Sequence, residues 1–144
     1  MKYICEIEIN QPIKKVVELW TDENNFTKWQ DDFKSITLLD GSINTVGAKS
    51  EIIFEGKHKI ELIETIIISN LPTEKKALYE HKMMSNTQSS RFIAINDNKT
   101  QYISEVEYIK FNGLMMKIIA KLFPSKFKVQ SQKWMNQFKV FAEN

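Results

Sequence analysis

The chain contains few of the residues on which metal, nucleotide and disulfide chemistry depend. Its 144 residues include one cysteine, two histidines and four glycines. A single cysteine, Cys5, excludes an internal disulfide and a thiolate metal cluster. His58 and His81 have no second His or Cys at ligand spacing, and the four glycines form no phosphate-binding loop. The sequence therefore predicts no metal and no cofactor.

Charge and hydropathy exclude further classes of protein. The formal net charge of +2 is too small to predict binding to nucleic acid. No apolar run approaches the ~20 residues that a membrane-spanning helix needs, and the N-terminal stretch MKYICEIEIN has no signal-peptide core. With 42% hydrophobic residues, the chain is expected to form one globular domain over residues 1–144 of a cytoplasmic protein.

The first thirty residues predict a strand followed by two short helices. KYICEIEIN alternates apolar and polar residues with a period of two, which is typical of a strand with one wet face. Pro12 suits the first turn of a helix, and PIKKVVELW repeats its apolar residues at helical spacing. Thr21 and Asp22 are capping residues, so a second helix is expected to begin there and to end at about Trp29.

The rest of the chain predicts about six strands and then one long helix. From Lys34 onward, β-branched segments are separated by short polar turns, which favours an antiparallel meander. The last segment, from Gly113 to the end, carries apolar residues at helical spacing with lysines on its flanks. Pro124 interrupts this stripe, and we expect a kink or a break near Phe123.

Three aromatic residues in the polar stretch NNFTKWQDDF indicate how these elements pack. A long amphipathic helix and a curved antiparallel sheet can hide their apolar faces only against each other, and a sheet wrapped around a helix leaves a gap at its ends. The short helices can close one end. Phe26, Trp29 and Phe33 would then form the inner side of this plug, and an internal cavity would lie behind them.

Several segments together resemble the helix-grip superfamily, which contains START-type lipid-transfer and polyketide cyclase/dehydrase-like (SRPBCC) proteins. The resembling features cover nearly the whole chain: IEINQPIKKVVELWTDENNFTKW, the Val46-Gly47 strand opening, IETIIISNLP, the Lys99-Thr100 strand start and the closing helix. The resemblance implies an α+β fold in which a curved antiparallel sheet of about six to seven strands wraps around a long C-terminal helix. It also implies an internal cavity for a lipid-, polyketide- or sterol-like ligand.

Three residues are candidates for acid–base chemistry in such a cavity. In ALYEHKM, Tyr79 and His81 share one side of a strand, where a neutral imidazole beside a phenol could deprotonate a ligand hydroxyl. The alternative, which is favoured, is that His81 only hydrogen-bonds a neighbouring strand. Glu64 shares its parity with apolar residues of IELIETIII, yet one β-bulge would turn it outward. Arg91 in SSRFIAI has the same ambiguity, since an inward guanidinium could bind a ligand carboxylate. We expect both Glu64 and Arg91 at the surface.

The cavity wall is expected to combine the plug, the inner face of the sheet and the long helix. Tyr102 and Tyr108 lie on one side of a strand and could supply hydroxyl groups, although ordinary packing on the helix is at least as good an interpretation. Adaptable methionines and aromatics of the helix could contact a ligand or form plain core. The predicted cavity residues are Phe26, Trp29, Phe33, Phe54, Tyr79, His81, Phe92, Tyr102, Met115, Ile119, Phe123, Trp134 and Phe138.

Three function classes remain open after these considerations. The first is a non-catalytic carrier or sensor of a hydrophobic small molecule. The second is a cyclase- or dehydratase-type enzyme, and the third is a chaperone-activator-like interaction protein whose cavity is filled by side chains. Residues 110–144 hold seven lysines and one acid, so the basic helix could also make transient contact with an anionic membrane surface. Oligomeric state is open.

Overall fold

Seven strands form one antiparallel sheet in a computed structural model that describes all residues, 1–144. The strand order is β1-β7-β6-β5-β4-β3-β2. Strands β2 to β7 therefore follow one another as the meander that the short connections predict, and β1 pairs with β7. The strands are β1 (Lys2–Ile9), β2 (Phe33–Asp40), β3 (Lys49–Glu55), β4 (Lys59–Asn70), β5 (Glu74–Glu80), β6 (Met84–Asn96) and β7 (Lys99–Phe111).

Four α-helices accompany the sheet, two after β1 and two at the C-terminus. They are α1 (Ile13–Thr21), α2 (Phe26–Trp29), α3 (Leu114–Leu122) and α4 (Ser125–Glu143). The second predicted helix is shorter than expected, because residues Glu23–Asn25 form a 3₁₀ turn that precedes α2. The carboxylate of Asp22 accepts the N–H of Asn24 at 3.0 Å and starts this turn.

The predicted break at Pro124 separates α3 from α4. Proline has no N–H to donate and disfavours helical backbone at the residue before it. Phe123, the residue before Pro124, has φ −131° and ψ 51° and leaves the helical region. The C-terminal segment is therefore two helices, of which the 19-residue α4 is the long one.

The packed core lies under the C-terminal half of α4. Phe138 and Ala142 of α4 are fully buried there, together with Ile9 of β1 and Val16 of α1. Phe92 of β6 belongs to the same cluster. The sheet and α4 thus form the α+β helix-grip arrangement. No helix combines the length and the apolar character needed to cross a membrane.

Candidate ligand-binding cavity

A cavity of about 500 Å³ lies between the inner face of the sheet and the N-terminal half of α4. This volume exceeds about 300 Å³, the lower end for small-molecule pockets. Of the 29 residues that line it, 18 are hydrophobic. The two halves of α4 contact different regions of the protein. Its residues up to Met135 line the cavity, whereas Phe138 and Ala142 lie in the packed core.

A chain of aromatic rings forms one end of the cavity. Phe26 packs edge-on against both Trp29 and Phe33, with ring centroids 6.0 and 5.4 Å apart. Phe33 continues edge-on to Phe54 at 5.8 Å, and Phe54 stacks on Trp134 of α4 at 5.3 Å. All five side chains line the cavity. The short helix α2 therefore presents its aromatics inward, as the polar stretch around them predicts.

Polar side chains cross the inner face of the sheet in one row. Glu64 of β4 pairs with Tyr79 of β5, Tyr79 pairs with Asn86 of β6, and Asn86 pairs with Tyr108 of β7. Residues at paired positions of neighbouring antiparallel strands point to the same face of a sheet. All four line the cavity. An otherwise apolar pocket thus carries a band of hydrogen-bonding groups on its floor.

Glu64 and Tyr79 form the closest polar pair in this row. The hydroxyl of Tyr79 donates a hydrogen bond of 2.8 Å to Oε2 of Glu64. Burial raises the pKa of Tyr79 well above its ordinary value, and the charge of Glu64 raises it further. The phenol therefore stays protonated and acts as a donor to the carboxylate.

The expected surface position of Glu64 is wrong. Its exposed fraction is 7%, because β4 keeps regular pairing with β3 through this residue and its irregularity falls later, between Ile66 and Ile68. The expected outward position of Arg91 is correct. Its guanidinium lies 3.9 Å from carboxylate oxygens of Glu74 and Glu105, away from the cavity lining.

The other three tyrosines of the chain also line the cavity. The hydroxyl of Tyr102 accepts the indole N–H of Trp20 at 3.2 Å, and burial raises the pKa of Tyr102 to about 12. The hydroxyl of Tyr3 lies 2.7 Å from Oγ of Ser131 on α4. Burial raises the pKa of Tyr3, and burial together with Tyr3 raises the pKa of Tyr108. The inward tyrosine row is therefore a feature of the structure.

His81 lies at the end of β5, on the cavity side. Partial burial lowers its pKa, and the charge of Lys82 lowers it further, so the imidazole is neutral at pH 7. Its Nδ1 accepts the backbone N–H of Met83 at 3.2 Å, which leaves Nε2 as the protonated nitrogen. A hydrogen bond to its own turn, rather than to a neighbouring strand, orients this ring.

The structure places nine of the thirteen predicted cavity residues at the cavity wall and four elsewhere. Phe92 and Phe138 lie in the packed core, where Phe92 stacks on Tyr102 with centroids 4.7 Å apart. Met115 and Phe123 point to the surface, with exposed fractions of 71% and 48%. These four predictions are wrong, because parity and helical spacing do not show how far along an element the cavity extends.

Several polar residues of the wall were missed by sequence reasoning. Asn86 and Gln88 belong to MSNTQSS, a strand segment that is polar at every position after its methionine, so alternation could not reveal its inner face. Lys75 shares the parity of Tyr79, which is the one signal that could have placed it in the wall. Lys126, Gln130 and Ser131 come from the first turns of α4.

Comparison with known proteins identifies the fold. No protein-family model and no curated protein sequence matches the chain. Solved structures do match. The Zhui aromatase/cyclase from a Streptomyces species has 9% identity and a TM-score of 0.80, with 99% of this chain and 93% of that chain covered.

Two further solved structures have the same fold. A conserved protein from Geobacillus kaustophilus has 16% identity and a TM-score of 0.77, with 99% and 95% of the two chains covered. Major latex-like protein 151 from Panax ginseng has 12% identity and a TM-score of 0.76, with 100% and 98% covered. These values confirm the predicted helix-grip fold over the whole chain.

Proposed function

We propose that this chain binds a hydrophobic small molecule in its internal cavity and acts as a carrier or sensor. The observation that carries this proposal is the cavity of about 500 Å³ with its mostly hydrophobic wall. Ligand pockets of this kind combine a large apolar surface with a few convergent polar groups. The band from Glu64 to Tyr108 supplies such groups. A polyketide-, sterol- or lipid-like molecule fits this combination of size and polarity.

The interaction-protein class depends on a cavity that side chains fill, and this cavity is open.

A catalytic role has a specific observation in its favour, since the hydroxyl of Tyr79 and the carboxylate of Glu64 meet at 2.8 Å. His81 lies just after the end of β5 and lines the same cavity. A cyclase- or dehydratase-type reaction would use these groups as acid and base. His81→Ala should then abolish turnover of a polyketone while ligand affinity is largely retained.

Titration with Nile red, a neutral apolar dye, tests the binding proposal directly. We expect saturable fluorescence enhancement at one site. Val106 is buried and lines the cavity floor on β7, so Val106→Trp should fill the space and abolish the enhancement. Ile109 lies on the outer face of the same strand and is 57% exposed, so Ile109→Trp is the matched control. Equal dye binding by both folded variants would contradict the proposal.

Native mass spectrometry of freshly purified protein addresses the natural ligand. A discrete excess mass that organic solvent extracts as an apolar compound supports a carrier and identifies the ligand class. A bare mass on a folded chain that still binds the dye favours an enzyme that releases its product.

We propose that α3 contacts an anionic membrane surface. The ligand would then enter the cavity beside this helix. None of the residues of α3 is buried, and Ile119 alone among them lines the cavity. Leu114, Met115 and Leu122 are 63–76% exposed. Lys117 and Lys121 flank this apolar face. A basic amphipathic helix of this kind is typical of attachment to a membrane surface.

A further inference from the structure

Glu64 is the only acidic residue in the cavity wall, and it has only one partner. Its exposed fraction is 7%, and its one hydrogen bond joins Oε2 to the hydroxyl of Tyr79. Oε1 accepts no hydrogen bond, and the surrounding protein does not enclose it completely. It therefore faces open space in the cavity. A carboxylate in an apolar pocket favours a donor at such a position.

The residues around Glu64 supply no positive charge. Its cross-strand neighbours are Ser50 and Tyr79, and none of the ion pairs of the protein includes it. The wall contains two lysines and His81, whose imidazole is neutral at pH 7.

Both lysines of the wall are held against aromatic rings elsewhere. Lys75 lies four residues before Tyr79 on β5, which corresponds to about 13 Å along a strand. Its ammonium is 5.5 Å from the ring centroid of Trp20. The ammonium of Lys126 is 4.8 Å from the ring centroid of Phe123, on the half-exposed side of the α3–α4 break. Neither lysine makes an ion pair with the carboxylate, so the cavity wall itself supplies no cation to Glu64.

We propose that the cavity selects an apolar molecule that carries a primary amine, with the ammonium bound to Oε1 of Glu64. This inference rests on the proposed binding function and adds the chemistry of the ligand's polar end. An ammonium group donates a charge-assisted hydrogen bond to the free oxygen. The hydroxyl of Tyr79 holds the other oxygen, which fixes the orientation of the carboxylate. The ring-lined remainder of the cavity takes the apolar part of the molecule.

The test compares three ligands of equal chain length as competitors of Nile red at pH 7, below their micelle concentrations. Dodecylamine is cationic, dodecanol is neutral and dodecanoate is anionic. We expect dodecylamine to compete with the dye with an affinity about tenfold or more above that of dodecanoate, and dodecanol to lie between them. A hydrogen bond to a charged group has roughly this effect on affinity. Equal or tighter binding of dodecanoate would overturn the inference, and this comparison needs only the wild-type chain.

Variants of two glutamates on β4 assign the preference to a residue. Glu64→Gln should bind Nile red and lose the preference for the amine. Glu61 is exposed and is ion-paired with Lys59 at 3.3 Å, so Glu61→Gln is the matched control and should keep the preference. A preference that survives in folded Glu64→Gln would assign it to another group and overturn the proposal.

The two proposals fail in different ways. If wild-type protein binds neither the dye nor any of the three ligands, the binding function itself is wrong. If the dye binds and the three ligands compete equally, the cavity binds apolar molecules and only the amine selectivity is wrong.

Discussion

The phenol of Tyr79 donates a 2.8 Å hydrogen bond to the carboxylate of Glu64 across two neighbouring strands, inside a cavity whose wall is mostly hydrophobic. A buried acceptor that loses its donor costs more than the net worth of the bond, and hydrogen bonds to charged groups are the stronger ones. This pair is therefore expected to contribute to stability as well as to ligand selection.

A double-mutant cycle measures the contribution of the pair. Tyr79→Phe removes the donor and leaves the buried carboxylate, so the free energy of unfolding should fall by about 1.5–3 kcal/mol. The loss from Tyr79→Phe should be smaller in the background of Glu64→Gln, because the amide no longer carries a charge. Urea denaturation of the four chains gives the coupling energy. Additive effects within about 0.5 kcal/mol would mean that the two groups do not interact.

Alkaline pH is predicted to destabilise the protein through its tyrosines. Burial raises the pKa of Tyr3, Tyr79, Tyr102 and Tyr108, which are all the tyrosines of the chain. Between the ordinary value of 10.0 and the value of about 12 for Tyr102, the unfolded chain binds fewer protons than the folded one. The contribution of each such tyrosine to the free energy of unfolding is thus fully present below pH 10. It falls as the pH rises above 10, by up to about 1.4 kcal/mol per pH unit for each group.

Phenolate absorbance gives the measurement for this prediction. The native protein should ionise its tyrosines at higher pH than the same chain in guanidinium chloride. Coincident titration curves in the two states would contradict the burial of these hydroxyls. Tyr102→Phe should reduce the number of late-titrating groups by one.

The fold follows from the sequence because its signals are repeated along each element. The meander from Phe33 to Phe111 has short polar connections and β-branched strands, so most neighbouring strands are set by local pattern. Pro124 has a steric effect that holds in any context, and its break appears where it is predicted. Each of these features depends on covalent geometry or on periodicity.

The sequence predicts the site less completely than the fold, because the site depends on distances along and between helices and strands. Parity correctly groups Tyr79 with His81 and Tyr102 with Tyr108, and these four residues share the cavity wall. Parity cannot show that Phe92 lies in the packed core and not in the cavity wall.

Two misplaced side chains depend on packing that the pattern does not contain. The position of Glu64 depends on where β4 becomes irregular, which is set by its pairing with β5. The surface position of Met115 depends on how far α3 lies from the sheet, since helical spacing is the same for a packed and an unpacked helix.

Substitution of two phenylalanines should distinguish a buried from an exposed position in the C-terminal segment. Phe138 is fully buried and packs edge-on against Trp29 at 5.2 Å, so Phe138→Ala should reduce the free energy of unfolding by about 3–5 kcal/mol. Phe123 is 48% exposed, and Phe123→Ala should cost less than about 1 kcal/mol. Chemical denaturation of both variants decides this. Equal losses would mean that the α3–α4 break packs as tightly as the core.

Membrane contact through α3 makes a prediction that depends on the position of charge rather than on its total. Lys117→Glu/Lys121→Glu reverses two lysines beside the exposed apolar residues of α3, while Lys14→Glu/Lys15→Glu makes the same change on the exposed face of α1. In flotation with vesicles rich in phosphatidylserine, the α3 variant should bind about tenfold or more weakly than the α1 variant, since each lysine near such a surface contributes about 1 kcal/mol. Added salt should weaken binding of the wild-type chain. Equal binding by the two variants would mean that the attraction arises from net charge, and that α3 is not the contact surface.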